Sequence, residues 1–235
     1  MLLYDPPMVE AYKAKTGVDT RTLDASHGKA YEDWIRWRAD FFTQLLRDLK
    51  HGLAPIRTAG KRVPVAVRLP SSGLFFNLAQ GLDIEQWFRE GLVDRIQLDP
   101  LEDLAGKSNH DVRPYLALGR RYGVAVVGGV GSTGHFGDPE KPPSYVVAGA
   151  KRALGLLRAG VDGIDTYETN SVALGPESRF VLPLFGNVSR LEEFLRNSNV
   201  EACYPVDAGN AAAGHDNHSR WDRGWDVEGL GRNSL

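Results

Sequence analysis

The sequence predicts an α/β fold built on a parallel sheet, and three observations carry that prediction. Four short β-branched runs begin near residues 63, 94, 124 and 162. An amphipathic helical stretch separates each run from the next, and the stretches ahead of the last three close on Gly91, Gly123 and Gly160. Parallel neighbours need a crossover between them, and a repeat of about 30 to 40 residues leaves room for one. The 235 residues, 42% hydrophobic and 25% charged, suffice for one domain with a sizeable core and an appendage.

Taken in order, Met8, Val9 and Tyr12 space like a short helix, with Pro7 in its first turn and Gly17 as its stop. From Tyr31 to Lys50 the residues Trp34, Trp37, Phe41, Leu45 and Leu49 recur at steps of three and four, reinforced by Ile35, Phe42 and Leu46. That stripe predicts a long amphipathic helix ending near Gly52, with Trp34 packed in a core. Val63-Pro64-Val65-Ala66-Val67-Arg68-Leu69-Pro70 is β-branched and fenced by prolines, as a buried strand is. Asp83 to Glu90 reads as a helix stopped by Gly91, and Asp94 to Asp99 as the second strand. Val112 to Tyr122 is a helix closed by Gly123, leading into the strand Val124 to Gly129. Ser144 to Ala159, with Val146, Ala150, Leu154 and Leu157 on one face, leads through Gly160 into the strand Gly163 to Glu168. Val188 to Leu195 suits one more helix with Ser189 as its N-cap. From Asn197 onward Gly, Asn, Asp and His dominate without periodicity, so residues 1–196 form the barrel-like portion and 197–235 an irregular tail or the start of a truncated following domain.

Two layouts accommodate four parallel strands with intervening helices: an open doubly wound sheet, or part of an eight-stranded (β/α)8 TIM barrel. The glycine-rich run Gly128-Gly129-Val130-Gly131-Ser132-Thr133-Gly134 superficially offers a nucleotide fingerprint. Pro139, Pro142 and Pro143 intervene before a helix can begin, so those amides are not expected at a helix N-terminus facing a phosphate. A loop over a barrel mouth is the better reading.

Composition narrows the partners. A formal net charge of -2 supplies no basic field for nucleic acid, and no apolar run approaches a bilayer span. A lone cysteine, Cys203, precludes an internal disulfide and pairs with no CxxC motif. The opening Met1-Leu2-Leu3-Tyr4-Asp5-Pro6-Pro7 carries no basic and apolar leader, so no secretory signal is read and the compartment stays open. No cofactor is called for.

In a parallel barrel the functional groups sit at the C-terminal ends of the strands. That rule selects Arg68, Asp99, His135 in the loop after the third strand, and Tyr167, Glu168 and Asn170 after the fourth. Asp99 and Glu168 offer the two carboxyl groups that glycosidic cleavage needs, one to protonate the leaving oxygen and one to attack or to activate water. Arg68, Tyr167, Asn170 and His135 would bind substrate. Blander roles stand beside these: Asp99 precedes Pro100 and suits a turn, Glu168 suits a cap or an ion pair, and Arg68 suits simple neutralisation of its neighbours. Asp165 shares a strand face with Tyr167, and a face turned inward would demand a partner such as Arg68. His215 and His218, three apart beside Asp216, lack a third ligand for a metal.

The segments Leu2-Leu3-Tyr4-Asp5-Pro6-Pro7-Met8-Val9-Glu10-Ala11-Tyr12-Lys13 and Thr16-Gly17-Val18-Asp19, then Trp34-Ile35-Arg36-Trp37-Arg38-Ala39-Asp40-Phe41, resemble the glycosyl hydrolase-like 10 family. The phrase Gly81-Leu82-Asp83-Ile84-Glu85-Gln86-Trp87-Phe88-Arg89-Glu90-Gly91-Leu92-Val93-Asp94 is similar to the same group. The likeness runs over roughly residues 2 to 195. It implies a glycosidase-like TIM barrel whose fifth to eighth strands are the four read here, one further strand and three earlier βα units lying upstream. No catalytic signature falls within the matched phrases, so it transfers no site residue.

The expectation is therefore the C-terminal half of a barrel that acts on carbohydrate, with exposed half-barrel edges that favour self-association. Two other classes stay open: a carbohydrate-binding or assembly module without catalysis, and an unrelated barrel enzyme that holds phosphate in its glycine-rich loop.

Overall fold

The computed structural model describes residues 5–58, 63–99, 111–130, 142–166 and 182–197. Seven helices and four strands lie within them: α1 (Pro6–Thr16), α2 (Lys29–Thr58), β1 (Ala66–Pro70), α3 (Leu74–Ala79), α4 (Ile84–Arg89), β2 (Arg95–Asp99), α5 (Arg113–Tyr122), β3 (Ala125–Gly129), α6 (Pro142–Ala159), β4 (Gly163–Asp165) and α7 (Val188–Asn197). The contacts divide the chain into two compact units. Of the described residues, 5–58, 63 and 73–92 belong to the first, and 64–72, 93–99, 111–130, 142–166 and 182–197 to the second.

The first unit is helical. Gly17 ends α1 in a left-handed conformation, φ 78°, with its N–H on the Lys13 carbonyl, and Val9 and Tyr12 are buried as their spacing predicts. The long helix departs from expectation in two ways. It runs past Gly52 and through Pro55 to Thr58. A helical glycine costs only about 1 kcal/mol, and Pro55 lacks the N–H that would bond one turn back, at His51. The buried face is also rotated from the predicted stripe: Trp34, Ile35, Ala39, Thr43 and Leu46 are buried, while Phe41, Leu45 and Leu49 are exposed. Trp34 is fully covered and stacks on Trp37 at 5.7 Å, with Tyr12 edge-on to both. Such contacts add about 0.5–1.5 kcal/mol each beyond area burial. Asp83 caps α4 by accepting the Gln86 N–H, and Trp87 on that helix is fully buried, its Nε1 donating to the Thr43 hydroxyl at 3.0 Å. Helix α3 was not anticipated; its six residues are too few to show a period.

The second unit holds a parallel four-stranded sheet in the order β1-β2-β3-β4, so every strand pairs with its neighbour in sequence. All four strands therefore end on the same edge. The register defines two faces. Leu69, Leu98 and Gly128 align on one, with Ile96 and Val126 a layer below, and these residues are buried. Helices pack here: Leu156 of α6 lies 3.0 Å from where a Cβ on Gly128 would stand, and a Cβ on Gly119 of α5 would come within 2.7 Å of the Val124 carbonyl and the Val126 side chain. Each buried aliphatic is worth about 1.5–3 kcal/mol. Gly123 (φ 70°) and Gly160 (φ 96°) close α5 and α6 in left-handed conformations just before β3 and β4.

One device recurs at the start of the strands. The phrase Val-Asp-x-Ile occurs at residues 93–96 and 161–164. Asp94 N–H donates to the Val65 carbonyl at 2.8 Å and its carboxylate accepts the Val65 N–H at 2.8 Å. Asp162 makes the same pair with Val126, at 2.8 and 2.7 Å. Each aspartate thus continues the ladder by one rung.

Two terminal details differ from expectation. Helix α6 begins at Pro142, earlier than Ser144, because a first turn has no use for the N–H groups that Pro142 and Pro143 lack. Helix α7 is capped by Asn187, whose Oδ1 accepts the Arg190 N–H at 3.0 Å, and Ser189 lies inside the helix. Strand β4 is described as far as Asp165, short of Glu168. The tail from residue 198 lies outside the described residues.

Candidate functional site at the strand ends

The opposite face of the sheet is polar. Arg68, Gln97, Val127 and Gly163 align in one layer, and Pro70 with Asp99, and Gly129 with Asp165, lie in the layer above, at the C-terminal edge. Arg68 joins the strands. Its Nε donates to Asp99 Oδ2 at 3.0 Å, and its Nη2 lies 3.4 Å from Asp165 Oδ2. The three side chains are 32%, 18% and 24% exposed, so a ligand could reach all of them. Gly129, in register with Asp165 and one residue beyond the partner of Leu98, puts no side chain between the two carboxylates.

The geometry of this bridge says something about the sheet. Three strand intervals span about 14 Å in a flat sheet, with side chains standing off its plane. The long stem of Arg68 reaches over β2 and β3 to bring its guanidinium within 3.4 Å of a β4 carboxylate, a reach that a sheet curled toward its polar face would shorten.

Surrounding groups fix the rim. Ser71, buried, donates both its N–H (3.0 Å) and its hydroxyl (3.3 Å) to the Asp99 carbonyl. Tyr115 of α5, fully buried, donates its hydroxyl to the Pro70 carbonyl at 3.2 Å. The Val130 N–H donates to the Asp165 carbonyl at 2.8 Å, and the Val130 carbonyl accepts from Arg152 Nη1 at 3.4 Å. Arg152 is 4% exposed and stands one turn before Leu156, which places it on the helix-covered side of the sheet. At the start of α5, the carboxylate of the buried Asp111 accepts the Arg113 N–H and both Nε and Nη2 of its guanidinium.

Arg68 and Asp99 thus meet, as does the pairing of Arg68 with Asp165 that an inward face demanded. His135, Tyr167, Glu168 and Asn170 lie outside the described residues, as do Cys203, His215, His218 and the glycine loop from Gly131. Sequence reasoning passed over Ser71, Tyr115 and Arg152. Arg152 stands opposite the stripe of Val146, Ala150, Leu154 and Leu157, where an arginine reads as an ordinary exposed residue. Among the described residues no three His, Cys, Asp or Glu side chains gather as metal ligands, and no helix is long and apolar enough to cross a membrane.

No family model matches the chain, and no curated protein matches it.

Proposed function

We propose that these strands are half of an eight-stranded β/α barrel of glycoside-hydrolase type, acting on carbohydrate at the mouth where the strands end. The observation that carries the reading is the ion pair between the first and fourth strands, because it suits a sheet curled toward its polar face as a barrel wall is. The unbroken order β1-β2-β3-β4 supports it further, since a doubly wound sheet reverses its order at a switch point. Asp99 stands at the edge where barrel enzymes keep their chemistry, and the resemblance to the glycosyl hydrolase-like 10 family points to the same class.

In this reading Asp99 and Glu168 are the two carboxyl groups flanking the glycosidic bond, one delivering a proton to the leaving oxygen while the other attacks the anomeric carbon or activates water. Arg68 holds Asp99 in place from the neighbouring strand. Hydrolysis of a panel of 4-nitrophenyl glycosides and of polysaccharides by the full-length parent that completes the barrel tests the proposal. Asp99→Asn and Glu168→Gln should each lower turnover by about 100-fold or more; full activity in both would overturn it. A second reading, binding of carbohydrate without cleavage, draws support from the guanidinium that already engages Asp99. Saturable glycan binding by calorimetry with no product released would favour that reading.

A further inference from the structure

We infer that the exposed row Phe41, Leu45, Leu49 and Ile56 on α2 is the seat of the βα unit that precedes this helix in the completed barrel; the inference rests on the half-barrel reading above. At about 100° per residue, the apolar residues of α2 run from Trp37 round to Ala39, an arc of about 200° and roughly twice the stripe that serves one partner. Part of that arc is filled. Ile35, Ala39, Thr43 and Leu46 are buried, and α4 lies on this side, with Trp87 donating to the Thr43 hydroxyl at 3.0 Å and its ring 5.6 Å from Phe42. Arg47 and Lys50 extend the contact to Glu90 and the Gly91 carbonyl.

The remaining part begins covered and ends bare. Tyr12 of α1 packs on Trp34 and Trp37, and Trp37 meets Phe41 edge-on at 5.0 Å. From Phe41 the row continues through Leu45, Leu49 and Ile56, each between 44% and 57% exposed. A Cβ at Gly52, on the same line, would meet nothing within 4 Å. Scattered exposed leucines are ordinary, whereas a row that prolongs a buried aromatic cluster is a contact surface whose partner is not among the described residues. Chain order selects the partner. Helix α2 leads into β1, the first of the four strands, and in the outer ring of a barrel each helix has a neighbour on both sides. The unit that follows supplies α3 and α4, which are present. The unit that precedes belongs to the half with the other four strands, and an apolar surface of its strand and helix is what the row would bury.

The test follows labelling of Leu45→Cys by N-ethylmaleimide, in a Cys203→Ser background, in this chain and in the full-length parent, with modified peptides identified by mass spectrometry. In this chain the thiol at position 45 should react as an exposed thiol does; in the folded parent it should react about 100-fold more slowly or less. Gln44→Cys, on the exposed side of the helix, should react fast in both. Leu49→Cys gives the same measurement should Leu45→Cys fail to fold. Equal rates in chain and parent overturn the inference. So does protection in this chain that rises with its concentration, which would make a second copy the occupant. Labelling needs no glycoside to be cleaved, so a parent that is inactive but protected defeats the carbohydrate reading and supports this one. A parent with no βα unit ahead of the row overturns both.

Discussion

The helical unit and the sheet unit use charge in opposite ways. In the helical unit the interior is apolar and aromatic, with Trp34 and Trp87 fully buried, and the charged groups pair on the exterior, as Arg47 does with Glu90. In the sheet unit one face is equally apolar, but aspartates stand at both ends of the strands. Those at the beginning, Asp94 and Asp162, take up backbone N–H groups. Those at the finish, Asp99 and Asp165, share one guanidinium. Carboxylates spent on the backbone are structural, whereas carboxylates held only by a side chain remain accessible to a ligand. The comparison assigns stability to the edge where the strands begin and leaves part-exposed carboxylates at the edge where they end.

The largest effect should come from emptying the helical core. Trp87→Ala removes a buried indole together with its bond to Thr43, and should destabilise by about 3–5 kcal/mol, read from the midpoint of a denaturant titration. A shift below about 1 kcal/mol would mean that the aromatic interior is not what holds this unit together.

A sharper measurement compares the two sheet edges. Asp94→Ala and Asp162→Ala each strip a charge-assisted bond from a backbone N–H and should cost about 1.5–3 kcal/mol. Asp99→Ala leaves the Arg68 guanidinium partly solvated and still near Asp165, and should cost under about 1 kcal/mol. Equal losses at the two edges, measured by the same titration, would erase the distinction between them.

How far this arrangement was legible depended on what kind of force made each part. The four strand beginnings and the glycine stops were readable because burial and left-handed turns leave local marks, as at Gly123 and Gly160. The rotated face of α2 was not: Phe41, Leu45 and Leu49 fit the helical period as well as the residues that are buried, and only tertiary contacts choose between them. The N-cap of α7 was misplaced by two residues because Asn187 and Ser189 are both competent caps and sequence alone does not rank them. At the site, the rule that barrel chemistry gathers at strand ends selected Arg68 and Asp99. The pairing of Arg68 with Asp165 was legible too, because an aspartate on a covered strand face demands a partner. Tyr115 and Ser71 bond to backbone carbonyls across strands and carry no motif at all.

The smallest effect tests the exterior charge of the helical unit. Arg47 grips Glu90 with both arms of its fork, Nε to Oε2 and Nη2 to Oε1, each at 2.7 Å, and this grip holds the Glu90 carboxyl below the ordinary glutamate range despite partial burial that opposes it. Gln86 contributes a further bond. Because the folded state favours the ionised form, the pair stabilises the unit fully above the unfolded glutamate value of about 4.3. That contribution fades as the pH falls through the lower folded value. Glu90→Gln should therefore melt below the wild type at pH 7 by an amount equivalent to about 1 kcal/mol or less, and the two curves should converge in acid. A difference that persisted at pH 2 would belong to packing or to the amide itself, and the exterior charge of this unit would then have no part in holding it.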